Sequence, residues 1–403
     1  MSLEPAGAKL DREAARGLLA RPGVAKLLAC LDGDGEETRI VGGAVRNALI
    51  GRPVHEVDLA TTALPRDTMR RAAKAGLRTV PTGIEHGTVT ILTEAGSFEV
   101  TTLRQDVETD GRHAVVRFGR DFAGDALRRD FTVNALSLDR AGQVIDVTGG
   151  LDDLAAGRIR FIGDPAIRIR EDYLRVLRFF RFHAEYGVGP VDRPGLDAAI
   201  MARDGLARLS RERVRTELLK LLTAPRGAET ALLLQGCGLL GRLTAGVGDT
   251  GRLARIDPEG CGPVRRLAGF LVRTAEDARR LKAELRLSNA DEALLAGYAA
   301  ALARMVSRTR PVDAAEARRL VVLHGVDATR DALRATAGES RPVISPDGRA
   351  ALDGYLGGRV ALPRFGLTGR RLMAEGVTEG PELGRRLAEA RATWIEAGCP
   401  DDA

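Results

Sequence analysis

The chain has 403 residues and a mass of 43.0 kDa, 44% hydrophobic and 29% charged, which supplies more than one packed core and excludes a disordered or fibrous protein. Its net charge is +6 and its pI near 9.4, a balance that suits a polyanionic partner, while only 4% aromatic residues argue against an RNA-binding sheet that stacks bases on several rings. Cys30, Cys237, Cys261 and Cys399 form no C-x-x-C pair, the first residues lack an apolar leader, and no run of about 18 apolar residues occurs, so a soluble, reduced, cytoplasmic protein is expected.

Apolar spacing predicts a first helix over Arg12–Leu31 with Asp11 as its N-cap. Strands are expected over Thr38–Val41, Val57–Ala60, Leu77–Val80, Thr88–Leu92 and Phe98–Leu103, with helices over Ala44–Ile50 and Pro65–Ala75 between them. Beyond residue 150 the alternation fades, and helical periodicity dominates Arg168–Tyr186, Arg211–Leu222, Ala228–Gly236 and Ala275–Leu287. The Pro- and Gly-containing stretch Gly338–Gly358 predicts a loop or linker. The class is therefore α+β, with a mixed sheet followed by an all-helical remainder.

The most informative segment is 42–62, GGAVRNALIGRPVHEVDLATT. A strand enters Gly42-Gly43 and a helix follows at once, so backbone N–H groups can approach a phosphate, and Arg46, one turn in, is expected to help hold a triphosphate there. Glu56 and Asp58 stand two apart, and in a strand such positions share a face, where paired carboxylates suit Mg²⁺ shared with substrate phosphates. Taken singly, a tight turn and a solvated strand face explain these features; their combination is rarer. No G-x-x-x-x-G-K-[ST] and no G-x-G-x-x-G after a strand occurs, which disfavours P-loop and dinucleotide folds.

This segment resembles the class II nucleotidyltransferase superfamily, which holds tRNA CCA-adding enzymes and bacterial poly(A) polymerases and has the pattern GG-x-VRD-x-LLG…D-x-D-x-AT. Two positions depart from it: Asn47 stands where Asp is usual, and Glu56 replaces the first metal-binding Asp. The resemblance continues in order. Residues 83–104 match G-x-x-HGT…E-x-TT-x-R and place Glu99 beside the acidic pair; 125–139 match RRDFT-x-NA, which implies that Arg129, Asp130 and Asn134 hold ribose and phosphates. Residues 171–182, EDYLRVLRFFRF, match the family's ED-x-x-R motif, implying base recognition by Asp172 and Arg175 with Arg178 one turn on, all three along one side of a helix. The chemistry is coherent. A carboxylate acceptor beside a guanidinium donor complements N4/N3 of cytosine and N6/N1 of adenine, whereas guanine and uracil present the opposite order and leave buried groups unpaired.

Residues 104–125 resemble the flexible loop that full CCA-adding members carry, with His113 read as an ordinary loop histidine. Residues 209–222 resemble the last head-and-neck motif, and 367–390 a C-terminal segment in which Arg370, Arg371, Arg385 and Arg386 could grip an RNA backbone. The G-[RK]-[RK]-F segment typical of poly(A) polymerases is missing from 76–88. The resemblance thus implies a palm-like nucleotidyltransferase head over 1–150, a neck over 151–222, a helical body over 223–335 and a tail over 336–403. It implies Mg²⁺-dependent addition of C, C and A to a tRNA 3′ end from CTP and ATP, with no membrane and no obligate protein partner. The alternatives are an A-adding or poly(A)-forming enzyme and, given Glu56 and Asn47, a catalytically weakened RNA-binding protein.

Overall fold

The computed structural model describes residues 9–109, 114–256 and 260–400. Helix α1 (Arg12–Gly17) starts where expected, the Asp11 carboxylate accepting from the Ala14 N–H at 2.8 Å. The expected single helix to Leu31 is broken: a 3-10 turn (Leu18–Ala20) intervenes before α2 (Val24–Leu31). Pro22 lacks an N–H, and Gly23 sits at φ +89° with the Phe98 ring 2.7 Å from where a Cβ would stand, so only glycine fits the bend.

After α2 the chain alternates β1 (Thr38–Val41), α3 (Gly43–Leu49), β2 (Asp58–Thr61), α4 (Pro65–Lys74), β3 (Arg78–Gly83), β4 (Thr88–Thr93) and β5 (Gly96–Thr102). A hairpin, β6 (Arg104–Thr109) and β7 (Ala114–Phe118), occupies the stretch read as a polar loop; His113 lies outside the described residues. Then come α5 (Phe122–Leu127), β8 (Ser137–Leu138), β9 (Val144–Ile145), α6 (Gly150–Ala155), α7 (Pro165–Glu171), α8 (Leu174–Tyr186) and α9 (Arg193–Met201). Seven strands form one sheet in the order β3-β4-β5-β2-β1-β8-β9, in which β2 and β5 run parallel and the other neighbours antiparallel. Helices α2 and α4 pack against one another and against the sheet, over a core that includes Ile40, Leu59, Ile91 and Val100. Because side chains alternate along a strand, the exposed Glu99 between buried Phe98 and Val100 points to the opposite face.

The helix expected over Arg168–Tyr186 is two helices. Asp172 is extended (φ −153°, ψ 108°), so α7 ends at Glu171 and α8 restarts at Leu174; Asp172, Arg175 and Arg178 do not lie along one continuous helix. The middle and second half of α8 are fixed to the sheet domain by rings: Phe131 packs on Phe161 and Phe182 with centroids 4.9 and 5.1 Å apart, and Phe161 on Phe179 at 5.3 Å. Such contacts contribute roughly 0.5–1.5 kcal/mol each beyond area burial.

The backbone divides into two compact units, Met1–Leu209 and Ser210–Ala403. The second is helical: α10 (Arg211–Thr223), α11 (Gly227–Gly236), α12 (Leu239–Thr244), α13 (Thr250–Arg255), α14 (Pro263–Leu271), α15 (Ala275–Leu285), α16 (Asn289–Val306), α17 (Ala314–Ala335), α18 (Pro346–Leu356), α19 (Gly369–Ala374) and α20 (Pro381–Glu396). Among its described residues the most deeply buried charged side chain is Glu316, which accepts from Arg304 at 2.5 Å, Arg308 at 3.0 Å and Arg319 at 3.1 Å. The loop expected over Gly338–Gly358 contains α18. Pro346 occupies its first turn, where a missing N–H costs nothing, and the Ser345 hydroxyl caps the Gly348 N–H, so these residues start a helix instead of interrupting one.

Candidate active site

Strand β1 delivers the chain to Gly42, whose backbone (φ +68°, ψ −122°) is open only to glycine and whose N–H donates to the Leu136 carbonyl at 2.9 Å. A Cβ at Gly42 would stand 3.0 Å from Nη1 of Arg129, so the guanidinium lies directly against the turn. Gly43 then opens α3.

The acidic groups meet on the neighbouring strands. Leu59 pairs with Val100 in the parallel register, which aligns Asp58 with Glu99 on the sheet face opposite the core. Glu56 lies two residues before Asp58, just outside β2, and its charge acts on the Asp58 carboxyl together with that of Glu99. Of the two, the cross-strand partner Glu99 is the stronger influence. Partial burial, then the charge of Glu99, then that of Glu56 push the Asp58 carboxyl above its ordinary pKa, while Arg129 pulls it down. All three carboxylate residues are solvent-accessible.

Among the described residues no three carboxylate, histidine or cysteine groups close into a ready-made metal shell. What the sheet presents is a partial set of hard oxygen donors under mutual repulsion, which suits a cation that takes one or two protein carboxylates and completes its shell with substrate phosphates and water. The donor chemistry therefore fits Mg²⁺.

Behind the turn runs a chain of buried hydrogen bonds. Arg46, 6% exposed, donates to Oδ1 of Asn134, to Asn47 Oδ1 at 2.9 Å and to the Tyr186 hydroxyl at 2.7 Å, and its guanidinium lies 4.1 Å from the Tyr186 ring centroid. Burial lowers its pKa, with the Tyr186 oxygen acting the other way. Nδ2 of Asn134 donates to Asp130 Oδ1 at 2.9 Å, and Oδ2 of Asp130 accepts from Arg178 Nε at 2.7 Å and Nη2 at 2.6 Å. Burial raises the Asp130 pKa, but the Arg178 charge and the bonds from Asn134, Arg178 and the Phe131 N–H outweigh it and leave the carboxyl below its ordinary value. Asp130 is not a helix cap: the 3-10 turn Thr132–Asn134 starts from Phe131. Arg129 bridges Asp125 at 3.2 Å and donates to the Asn134 carbonyl at 3.3 Å.

The structure thus brings Gly42, Gly43, Arg46, Asp58, Glu99, Arg129, Asp130, Asn134 and Arg178 into one connected region. Asp172 sits at the break between α7 and α8, its Oδ1 accepting from the Leu174 N–H at 3.0 Å, and Arg175 donates to Glu171 and to the Arg168 carbonyl at 2.9 Å. In the second unit Arg385 pairs with Glu382 and Glu389, Arg386 with Glu382, and Arg371 with Glu375; the arginines, like Arg370, are exposed and Glu382 is half-buried. Sequence reasoning missed Asp125 and Tyr186. The i,i+4 spacing of Asp125 to Arg129 was a usable signal, whereas Tyr186 lies 140 residues from the Arg46 it braces and left none.

Residues 38–160 match the poly(A) polymerase head domain family, and residues 198–244 the family described as a probable RNA and SrmB binding site of polymerase A. The chain is 32% identical over 377 residues to CCA tRNA nucleotidyltransferase 1, mitochondrial, of Mus musculus, covering 91% of this chain and 84% of that protein. It is 46% identical over 194 residues to the CCA-adding enzyme of Streptococcus pyogenes serotype M2, 47% of each chain. Its fold is similar to that of the Bacillus stearothermophilus CCA-adding enzyme crystallised with CTP: TM-score 0.73, 27% identity, 97% of this chain and 94% of that one.

Proposed function

Because the chain belongs to the family of CCA-adding tRNA nucleotidyltransferases, we propose that the face carrying Asp58 and Glu99, beside the Gly42 turn, is where it transfers nucleotides to RNA. The chain adds C, C and A to the 3′ end of tRNA from CTP and ATP, without a nucleic-acid template, and releases pyrophosphate. In each cycle the terminal 3′ oxygen bonds to the α-phosphorus, the α–β bridging bond breaks, and the hydroxyl proton is lost.

The observation that supports this assignment is the in-register pair Asp58–Glu99 with Arg129 against Gly42. Enzymes of this family are metal-dependent; we assign the metal as Mg²⁺ and its protein donors as Asp58, Glu99 and Glu56. When bound it supplies Lewis acidity for the hydroxyl and charge neutralisation for the departing phosphates. Gly42 and Gly43 leave space for the triphosphate against the backbone, and Arg129 faces it with a fixed positive charge. Arg46, held from behind by Asn134 and Tyr186, fixes the turn. Asn134 and Asp130 set the ribose position, Arg178 anchors Asp130, and Asp172 with Arg175 reads the base edge. Residues 1–150 are the catalytic head, 151–222 the neck, 223–335 the body and 336–403 the tail, where Arg370, Arg371, Arg385 and Arg386 hold tRNA phosphates. No helix among the described residues is long and apolar enough to cross a membrane, and the four cysteines are unpaired, in keeping with a reducing cytoplasm.

The test supplies purified protein and Mg²⁺ with labelled tRNA ending before the first C, after C, or after C-C, giving CTP and ATP separately and together. A stop after C-C-A is expected. Addition of A only to a C-C end would select an A-adding specialist, a ladder of A residues a poly(A)-forming enzyme, and binding without incorporation a non-catalytic protein.

A further inference from the structure

The break that sets Asp172 apart from α8 has no local cause. From Ala166 to Tyr186 there is neither glycine nor proline, and the apolar spacing favours one uninterrupted helix. Yet Asp172 is extended and Tyr173, at φ −61°, starts a new helix, with the Arg175 N–H returning to the Asp172 carbonyl at 3.0 Å. The Asp172 carboxylate caps the Leu174 N–H, which favours the restart of the helix once the chain is broken there.

The cause is tertiary. The Tyr173 ring lies on Gly205, in the buried centre of the 3-10 turn Arg203–Arg208: a Cβ at 205 would stand 1.9 Å from Cε1, 2.0 Å from Cδ1 and 2.5 Å from Cζ of that ring. Gly205 is not among the positive-φ glycines, so its backbone would accept any residue, and what requires glycine is the space the ring fills. From the same turn the Arg208 guanidinium lies 5.5 Å from the ring centroid. Tyr173 is thus clamped by a segment some 30 residues downstream, and the residue it immobilises is the immediate neighbour of Asp172.

We propose that Tyr173 is a positioning residue for nucleotide choice: its ring, seated on Gly205, keeps α7 and α8 apart and thereby fixes where the Asp172 carboxylate stands relative to Arg175. This rests on the reading that Asp172 and Arg175 recognise the base. Acceptor and donor match the N4/N3 or N6/N1 edge only while their separation is held; without the ring, the segment is free to close into the continuous helix its sequence favours and carry Asp172 onto the helical cylinder. Contact with the base is not required of Tyr173.

The experiment measures the ratio of kcat/KM for CTP over UTP, and for ATP over GTP, on tRNA ends in the parent and in Tyr173→Ala, Tyr173→Phe, Gly205→Ala and Asp172→Ala. Each ratio is taken on one preparation, so it does not depend on the fraction of protein folded. Tyr173→Ala and Gly205→Ala, which remove or displace the ring, should lower the ratios about tenfold, with KM for tRNA unchanged, and Tyr173→Phe, which keeps the ring, should restore them. Parent ratios in Tyr173→Ala beside a collapsed ratio in Asp172→Ala would overturn the positioning role and leave the base reading standing. Parent ratios in Asp172→Ala would overturn the base reading itself. Loss of discrimination in Tyr173→Phe would overturn the role of the ring by assigning it to the hydroxyl.

Discussion

Replacing Asp130 by Ala tests whether the hydrogen-bonded chain behind the Gly42 turn holds the sheet domain to α8. Asp130 is 8% exposed and accepts from the Phe131 N–H at 2.9 Å, Asn134 Nδ2 at 2.9 Å and Arg178 at 2.6 and 2.7 Å. Removing one member of a buried ion pair costs about 3–5 kcal/mol, because the remaining charge stays desolvated. The Arg178 side chain keeps 31% of its surface open, so water recovers part of that loss and the expected cost falls at the lower end, about 3 kcal/mol. Urea unfolding followed by far-UV circular dichroism reads it, and the Asp130→Ala/Arg178→Ala double variant should be less destabilised than the sum of the single variants by more than about 1 kcal/mol. The pH dependence has a definite sign. With its folded pKa lowered, Asp130 contributes fully above the unfolded carboxylate value of about 4, and that contribution is lost as pH falls through the folded value. The gap between parent and Asp130→Ala should therefore narrow in acid. A cost under about 1 kcal/mol at pH 7, or additive single variants, would refute the reasoning.

Gly42→Ala places a side chain at φ +68° and 3.0 Å from Arg129, so stability should drop by about 1–2 kcal/mol and kcat/KM for CTP at least about tenfold; unchanged turnover would remove this contact from the site. Removing both Arg385 and Arg386 eliminates only solvent-screened surface ion pairs, so thermal stability should hold. The KM for tRNA should nonetheless rise and its salt dependence weaken by about one to two phosphate contacts, while an unchanged salt slope would take these residues out of RNA binding. Glu316→Ala strands three arginines around a fully buried site and should cost the second unit about 3–5 kcal/mol by chemical denaturation; a cost near zero would show that water reaches the arginines freely.

The strands, the glycine turn and the order of the acidic and ribose segments were legible because each is a local pattern: alternation, Gly-Gly after β1, and carboxylates two apart. Most of the failures lie in contacts distant in sequence. Tyr173 against Gly205 separates α7 from α8, and Phe98 packs on the bend at Gly23, although the Pro22-Gly23 pair was itself a local signal for that bend. The pairing of Asp58 with Glu99 depends on strand order, which spacing within one strand cannot reveal, and Arg46 turns inward to Tyr186 for the same reason. Pro346 misled differently: the residue that breaks helices in their middle is also a favoured first residue, and Ser345 before it was the available signal.

Asp58→Asn tests the central assignment most directly. Its folded pKa is raised, so the carboxylate's cost to the folded state builds as pH rises above the unfolded value of about 4 and is complete above the folded value, and the neutral isostere should unfold at or above the parent Tm at pH 7.5. On a labelled tRNA lacking its terminal nucleotides, with CTP and ATP, the parent should add three residues and stop. Asp58→Asn should add none at any Mg²⁺ concentration while binding tRNA with the parent Kd. Extension by Asp58→Asn at the parent rate would contradict the account.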